Sequence, residues 1–358
     1  MSIVHFHFGR RGGGPHIAVE IARALGELNI PSITLLSERN TFLAELDRTS
    51  VDVRTVRGQM LTPLVASRVR SLFAAEIELR RPSQILCCMS HPLDLFVLDL
   101  VARSKIPFKL VVHDGVSHLG DPLSWLWWFG ILEQRVASGL ITMSSHVTEQ
   151  VHKRWPKKSI IQLWHPAFSP RPAWSPCAVS ARPVGALRIL FFGRIMEYKG
   201  LGLLLESCNR LQVKGFEFSL CVVGHGAITS RERLVMEILK PTFVNRYVTE
   251  AEAAGFFQDC DLVVLPYVEA SQSGVVATAI SFGKPVLATP VGGLKEQVEA
   301  MGAGLVCEEC SVDALSGALA WLAEEPSRCG QLTPRSGHAS KLGWREWTKS
   351  ALAFDCNS

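Results

Sequence analysis

No stretch of this 358-residue chain reaches the roughly 18–20 consecutive apolar residues that a membrane-crossing helix needs. The nearest, Leu123 to Leu132, is too short, which argues against a spanning segment. The layout of a secretory leader is missing too, because Met1-Ser2 runs directly into an expected first strand. Charge of one sign is scarce: 37 Lys and Arg against 33 Asp and Glu leave +4, too little to argue for a nucleic-acid partner. That charge remains compatible with weak attraction to an anionic membrane surface. The ten cysteines are scattered, and only Cys307-Glu308-Glu309-Cys310 has metal or redox spacing. Without a second CxxC or a matching His pair, no zinc site is expected. A reduced, cytoplasmic setting is the simplest expectation. No DxD pair suited to Mg²⁺ is evident, nothing repeats at a solenoid period, and no low-complexity segment occurs.

What is present describes an ordinary globular chain, with 47% hydrophobic and 20% charged residues. Its length favours two domains, each able to bury a core. A first strand is expected over Ile3 to Phe8, interrupted by His5 and His7. Gly12-Gly13-Gly14-Pro15 then opens a helix from His16 to Leu28. This loop is not GxGxxG, and Ile33 to Leu36 runs into Ser37-Glu38 without the acid a ribose needs, so a dinucleotide reading is weak. A tight turn and close approach to a substrate or phosphate both remain open for Gly13 and Gly14.

Strands and helices then alternate over Val51–Val56, Leu64–Arg80, Gln84–Cys87, Leu93–Ala102 and Phe108–His113, an α/β rhythm that implies a parallel sheet. His113-Asp114 falls at the carboxyl end of its strand, where open α/β sheets bind ligands. His113 can meet a substrate hydroxyl there or be a hydrogen-bonded structural residue. Trp125, Trp127, Trp128 and Phe129 exceed what one core face usually takes, which leaves a membrane interface or an acceptor lipid as alternatives for some of them. The nearby run Lys153-Arg154-Trp155-Pro156-Lys157-Lys158 is a solvated turn or part of such a face. Short strands follow over Leu140–Met143, with a cap at Ser144-Ser145, and over Ile160–Leu163.

Prolines crowd Pro166 to Pro183, the best linker in the chain. Beyond it, Arg188 to Phe192 reads as a buried strand that breaks at Gly193 and delivers Arg194 and Lys199 near the start of a helix from Leu201 to Leu211. A bidentate and a point cation beside a helix N-terminus suit a diphosphate, although a plain strand–turn–helix with two solvated charges also fits. Phe218–Val223 ends at Gly224-His225-Gly226, Arg233–Leu239 and Glu250–Phe257 are helices, and Tyr247-Val248 is a strand end. Leu262–Leu265 stops at Pro266-Tyr267-Val268-Glu269. Ser273 can then cap a helix and aim the N–H groups of Ser273, Gly274 and Val275 above the strand ends. Phe282-Gly283-Lys284-Pro285 closes that helix, and Val291-Gly292-Gly293-Leu294 repeats strand–Gly–helix. A final amphipathic helix runs from Gly343-Trp344 to Phe354.

Taken in this order, the chain resembles the retaining GT4 glycosyltransferases of the GT-B fold, nucleotide-sugar enzymes. The resemblance rests on Gly12-Gly13-Gly14, Gly193-Arg194 with Lys199-Gly200, Gly224-His225-Gly226, Ser273-Gly274 through Gly283-Lys284-Pro285 to Gly292-Gly293, and Trp344. His113-Asp114 with His118 is further similar to bacterial members that build surface polysaccharides on lipid-linked acceptors. The fold implied is α/β, two Rossmann-like α/β/α domains facing each other across a cleft. Its parts would be an acceptor domain over 1–166, a linker over 167–187, a nucleotide-sugar domain over 188–342, and a C-terminal helix over 343–358 crossing back to the first domain.

The resemblance implies transfer of a sugar from a UDP- or GDP-linked donor to a saccharide or lipid-linked acceptor hydroxyl, with no metal and no further cofactor. Arg194 and Lys199 would hold the leaving diphosphate, and the phosphate itself would take the acceptor's proton. His113 would orient the sugar or acceptor. Gly13, Gly14, Gly193, Gly224, Tyr247, Val248, Glu269, Ser273, Gly274 and Val275 would line the donor site. One departure stands out: the family's two donor-site glutamates fall here on Ala270 and Thr278, or on Ser271 and Ala279, with Glu269 beside the first. That departure motivates an alternative, a catalytically impaired nucleotide-sugar binder. A location in the cytoplasm, with peripheral contact on the inner face of the membrane, completes the expectation.

Overall fold

The computed structural model describes residues 2–58, 62–117, 127–170, 174, 185–333 and 343–356. Contacts divide these described residues into two units, one of residues 2–117, 127–164 and 343–356, the other of residues 165–333 where described.

The first unit is built on strands of which the inner ones are buried on both faces, as a sheet covered by helices requires. The strands are β1 (Ile3–His7), β2 (Ser32–Ser37), β3 (Val53–Val56), β4 (Gln84–Cys87), β5 (Phe108–Val112), β6 (Gly139–Thr142) and β7 (Ser159–Gln162). All pair in parallel, in the order β3-β2-β1-β4-β5-β6-β7. Between them lie α1 (Gly13–Glu27), α2 (Pro63–Arg80), α3 (Leu98–Ser104), α4 (Trp127–Val136) and α5 (Ser145–Arg154). Ser144 caps α5 by accepting from Val147 N. The stretch expected as one helix from Leu93 splits into a 3-10 turn, Pro92–Phe96, and α3, because His91 and Asp94 form a capping box around that turn. In the core, the Phe6 ring meets the Phe73 edge at 5.2 Å and lies 6.2 Å from Phe108. Of the aromatic cluster, His118 and Trp125 lie outside the described residues, as does the Trp127 side chain, whereas Trp128 is exposed.

The second unit repeats the plan. Its strands are β8 (Leu187–Phe192), β9 (Phe218–Gly224), β10 (Thr242–Asn245), β11 (Leu262–Leu265), β12 (Val286–Ala288) and β13 (Gly304–Val306), parallel in the order β10-β9-β8-β11-β12-β13. Its helices are α6 (Leu201–Val213), α7 (Ser230–Leu239), α8 (Glu250–Asp259), α9 (Gly274–Ser281), α10 (Leu294–Ala300), α11 (Val312–Glu324) and the short α12 (Arg328–Gln331). Thr229 with Glu232, and Thr249 with Glu252, form capping boxes that start α7 and α8. Tyr247-Val248 is therefore not a strand end: β10 stops at Asn245, and Thr249 commits the chain to a helix two residues after Tyr247. Part of the expected linker belongs to this unit. The Phe168 carbonyl accepts from Ser281 Oγ, and the buried Trp174 ring lies 4.4 Å from Phe282.

The last helix, α13 (Trp344–Ala353), packs on the first unit against α1. Its carbonyl end is closed by a side chain from the middle of the sheet. Lys109 on β5, 2% exposed, donates to Ala351 O at 3.0 Å and Leu352 O at 2.8 Å. A buried ammonium needs such acceptors, and the carbonyls of a helix terminus supply them together with the favourable end of its dipole.

In both units the strand order reverses once, between β1 and β4 and between β8 and β11. Ligand sites of doubly wound sheets lie at that reversal, beyond the carboxyl ends of the strands.

Candidate functional site

At the reversal of the second sheet, β8 turns at Gly193 and leads into a 3-10 turn, Glu197–Lys199. Arg194 is exposed and donates to the Tyr198 hydroxyl at 3.2 Å. Lys199 donates to the Tyr267 hydroxyl at 2.5 Å, and its Nζ stands 4.1 Å from that ring's centroid. The two tyrosines meet edge to face at 6.3 Å. Gly200 makes the junction possible: its φ is +68°, and a Cβ there would come within 1.8 Å of Pro266 O at the end of β11. The sequence thus brings two cations to one strand-end site, each held by a phenol.

Beside them, α9 begins. Ser273 Oγ accepts from Val275 N at 3.2 Å and meets Tyr267 Oη at 3.1 Å. The side-chain amide of Gln297 on α10 grips the Ser273 backbone from both sides, accepting from its N–H at 2.8 Å and donating to its carbonyl at 3.0 Å. The expectation that Ser273, Gly274 and Val275 all aim N–H groups outward is therefore corrected. The Ser273 and Val275 N–H groups are used inside the unit, which leaves Gly274 N–H for a ligand. Gly224 also has a packing role. Its missing Cβ makes room for Gly193 O, which would lie 1.8 Å away, so it serves the close approach of β8 and β9. Tyr247 is exposed, with its ring 5.0 Å from His225, and Val248 and Glu269 are partly buried. Asn245 clamps Gly226 below that ring pair through both backbone groups. Where the resemblance places carboxylates, Ala270, Ser271 and Ala279 are buried, and Thr278 donates its hydroxyl to Gly274 O.

In the first unit, the reversal gathers histidines. His7 Nδ1 donates to Met89 O at 2.9 Å, and its ring lies 5.9 Å edge-on from His91. His113 Nε2 donates to Cys88 O at 2.8 Å, which orients the ring with its proton on Nε2. Burial holds its pKa below the ordinary value, with Asp114 pulling the other way. Burial also brings His5 and His7 down to about 3 and His91 to about 4. Gly14 is one of the glycines expected to face a phosphate. A Cβ there would lie 2.5 Å from His7 Nε2 and 2.7 Å from Met89 Sδ, so it makes room for His7, whereas Gly13 faces open space. Both glycines also belong to α1, which starts at Gly13 rather than His16.

Beneath this loop, Cys87, Asp94 and Glu133 bring possible ligand atoms within 4.8 Å of one another, the one such group among the described residues. Asp94 accepts from His91 N at 2.7 Å. Burial, and then the charge of Glu133, hold the Asp94 carboxyl well above its usual range, and burial raises Glu133 to about 7. The two carboxyls therefore retain a proton near neutrality.

Sequence reading missed Tyr198, Tyr267, Gln297 and His7. Tyr267 was visible as the residue after an apolar strand, but its partners Lys199 and Ser273 are set by the fold.

Residues 186–325 match the family of glycosyl transferases group 1, so the second unit carries a domain of that kind. Over 193 residues the chain is 28% identical to the D-inositol 3-phosphate glycosyltransferase of Arthrobacter sp. (strain FB24), covering 52% of this chain and 45% of that protein. Over 169 residues it is 32% identical to the GDP-mannose:glycolipid 4-beta-D-mannosyltransferase of Xanthomonas campestris pv. campestris, covering 45% of each. The chain thus spans less than half the length of these relatives. The structure of Anabaena HepE in complex with UDP-glucose superposes with a TM-score of 0.71 at 14% identity, covering 99% of both chains. The fold is GT-B.

Proposed function

We propose that the chain is a retaining, GT4-like glycosyltransferase that moves a sugar from a nucleotide diphosphate sugar to an acceptor hydroxyl. The observation that carries this is Arg194 and Lys199 standing together at the sheet reversal of the glycosyl transferases group 1 domain. Departure of a nucleoside diphosphate places growing negative charge on its phosphates, and preorganised cations and N–H groups lower that barrier most. Arg194 supplies the planar fork, Lys199 the point charge, and Gly274 N–H the helix-terminal dipole. His225 and Tyr247 offer a ring pair for the base. His113 is neutral and committed to Cys88 O, which suits orienting the sugar or acceptor rather than taking a proton. The leaving phosphate accepts that proton on the same face, and the two cations and dipoles need no divalent metal.

The donor is UDP- or GDP-linked, a choice supported by one relative named for GDP-mannose and one structural neighbour that holds UDP-glucose. A lipid-linked or saccharide acceptor in polysaccharide or glycoconjugate synthesis fits the glycolipid named for the Xanthomonas relative. No helix among the described residues is long and apolar enough to cross a membrane, so the proposed contact with the inner face is peripheral. The test is turnover with UDP- and GDP-sugars, donor hydrolysis included. Arg194→Ala and Lys199→Ala are each expected to cut turnover by about a hundredfold or more while the melting temperature holds. Near-native turnover in both variants would remove the roles assigned to them.

A further inference from the structure

We infer that Tyr267 is a positioning residue whose phenol sets the direction of a hydrogen-bond chain from Lys199 to Ser273, turning the Ser273 hydroxyl into a donor for a phosphate oxygen. This rests on the diphosphate reading above. Lys199 Nζ lies 2.5 Å from Tyr267 Oη, Tyr267 Oη 3.1 Å from Ser273 Oγ, and Val275 N 3.2 Å from the same Oγ. An ammonium has donors only, so Tyr267 Oη must accept from it. Its single proton then has Ser273 Oγ as the acceptor within reach among the described residues, and we take the bond in that direction. That oxygen receives a second proton from Val275 N–H, and its two lone pairs are filled. The serine's own proton must point away from both donors, and none of the described residues accepts it.

The chain is held in register from both ends. Gln297 grips the Ser273 backbone, and Thr289 Oγ1 donates to Tyr267 O at 2.5 Å. Tyr267 and Ser273 are buried, so water does not compete for the internal bonds. Burial also pushes the Tyr267 phenol far up, so it keeps the proton that the relay requires. Without the phenol, Ser273 Oγ regains an empty lone pair and its proton can turn inward. The site would then lose a fixed donor, and Lys199 the acceptor of its bond, while Arg194 and the ring packing stay. No carboxylate stands at the positions where the resemblance expects a glutamate pair, and an oriented hydroxyl is a donor suited to an anion where a carboxylate is not.

The experiment is calorimetric titration of the full chain with UDP, GDP, uridine and guanosine, using Tyr267→Phe, Ser273→Ala and the double variant. Each single variant is expected to weaken UDP or GDP binding about tenfold, the double variant no further, and nucleoside affinity to stay constant. Unchanged UDP and GDP affinity in Tyr267→Phe, or losses that multiply in the double variant, would overturn the relay while leaving the diphosphate site standing. Loss of nucleoside binding in step with the diphosphates would also overturn it, because it marks a merely structural role. Should Tyr267→Phe fail to fold, Ser273→Ala alone decides, and native UDP and GDP affinity overturns the inference. A native chain that binds neither nucleotide would instead bring down the reading of function on which it rests.

Discussion

Gly200 is the residue on which the cationic turn depends most. Any side chain there would combine a left-handed φ of +68° with a Cβ 1.8 Å from Pro266 O. Backbone cannot yield as the end of a flexible side chain can, so relief must come from parting the turn from β11. Gly200→Ala is expected to cost about 2–4 kcal/mol by chemical denaturation. Because Lys199 and Tyr267 sit on the two sides of that junction, donor binding should fall with it. A stability within error of the native chain would show that the junction is not tight. The neighbouring Arg194 should behave in the opposite way, with little effect on stability and a large one on turnover. Arg194→Lys is expected to recover only a small part, since one ammonium cannot reproduce a planar two-pronged contact with phosphate.

Among the elements, those whose signals are local were legible in the sequence. Leu262–Leu265 and Gln84–Cys87 are strands over those same residues, the first apolar throughout and the second apolar after Gln84, as strands buried on both faces tend to be. Ser144 and Ser273 announce their helices by capping chemistry that acts within three residues. Tyr247-Val248 misled because two good strand formers lie beyond the last paired residue, and pairing with β9 ends at Asn245. The packing of the glycine loop was illegible for another reason. Gly14 answers to His7 and Met89, residues brought to it by β1 and β4, and no local pattern records that contact. Likewise, Arg194 and Lys199 were readable as cations after a strand, whereas Tyr267 reaches Lys199 across 68 residues of sequence and Gln297 reaches Ser273 across 24.

For the molecule as a whole, buried titratable groups shape the dependence of stability on pH. His5 and His7 at about 3, and His91 at about 4, stay neutral in the fold long after they protonate in the unfolded chain, from 6.5 downward. Their contribution is therefore complete above 6.5 and is lost as pH falls through that window. Glu133, at about 7, has the opposite sign: the fold holds its proton between 7 and 4.5, where the unfolded chain does not. Glu133 thus offsets part of the histidine loss down to about 4.5, and Asp94, held well above its usual range, continues the offset to its unfolded value near 3.8. Denaturation across pH is expected to show a gentle decline from 6.5 to 4.5, then a steeper one toward 3. Replacing His7 with Gln should flatten the steeper part. A uniform slope across the whole range would contradict these assignments.

Lys109 also fixes where this polypeptide can be divided. The ammonium sits in the sheet of the first unit, but both carbonyls that satisfy it come from the far end of the sequence. A fragment ending before Trp344 would keep the buried charge and lose its acceptors, a loss of about 3 kcal/mol or more on top of the uncovered surface of α1. The first half alone should accordingly be recovered insoluble or partly folded. Adding a synthetic peptide of residues 343–358 should raise its melting temperature in proportion to peptide concentration, and a Lys109→Met fragment should need the peptide less. Gene fusions and split versions would therefore do better to join at residues 164–165, where the chain passes between units, and to keep the last helix with the first half.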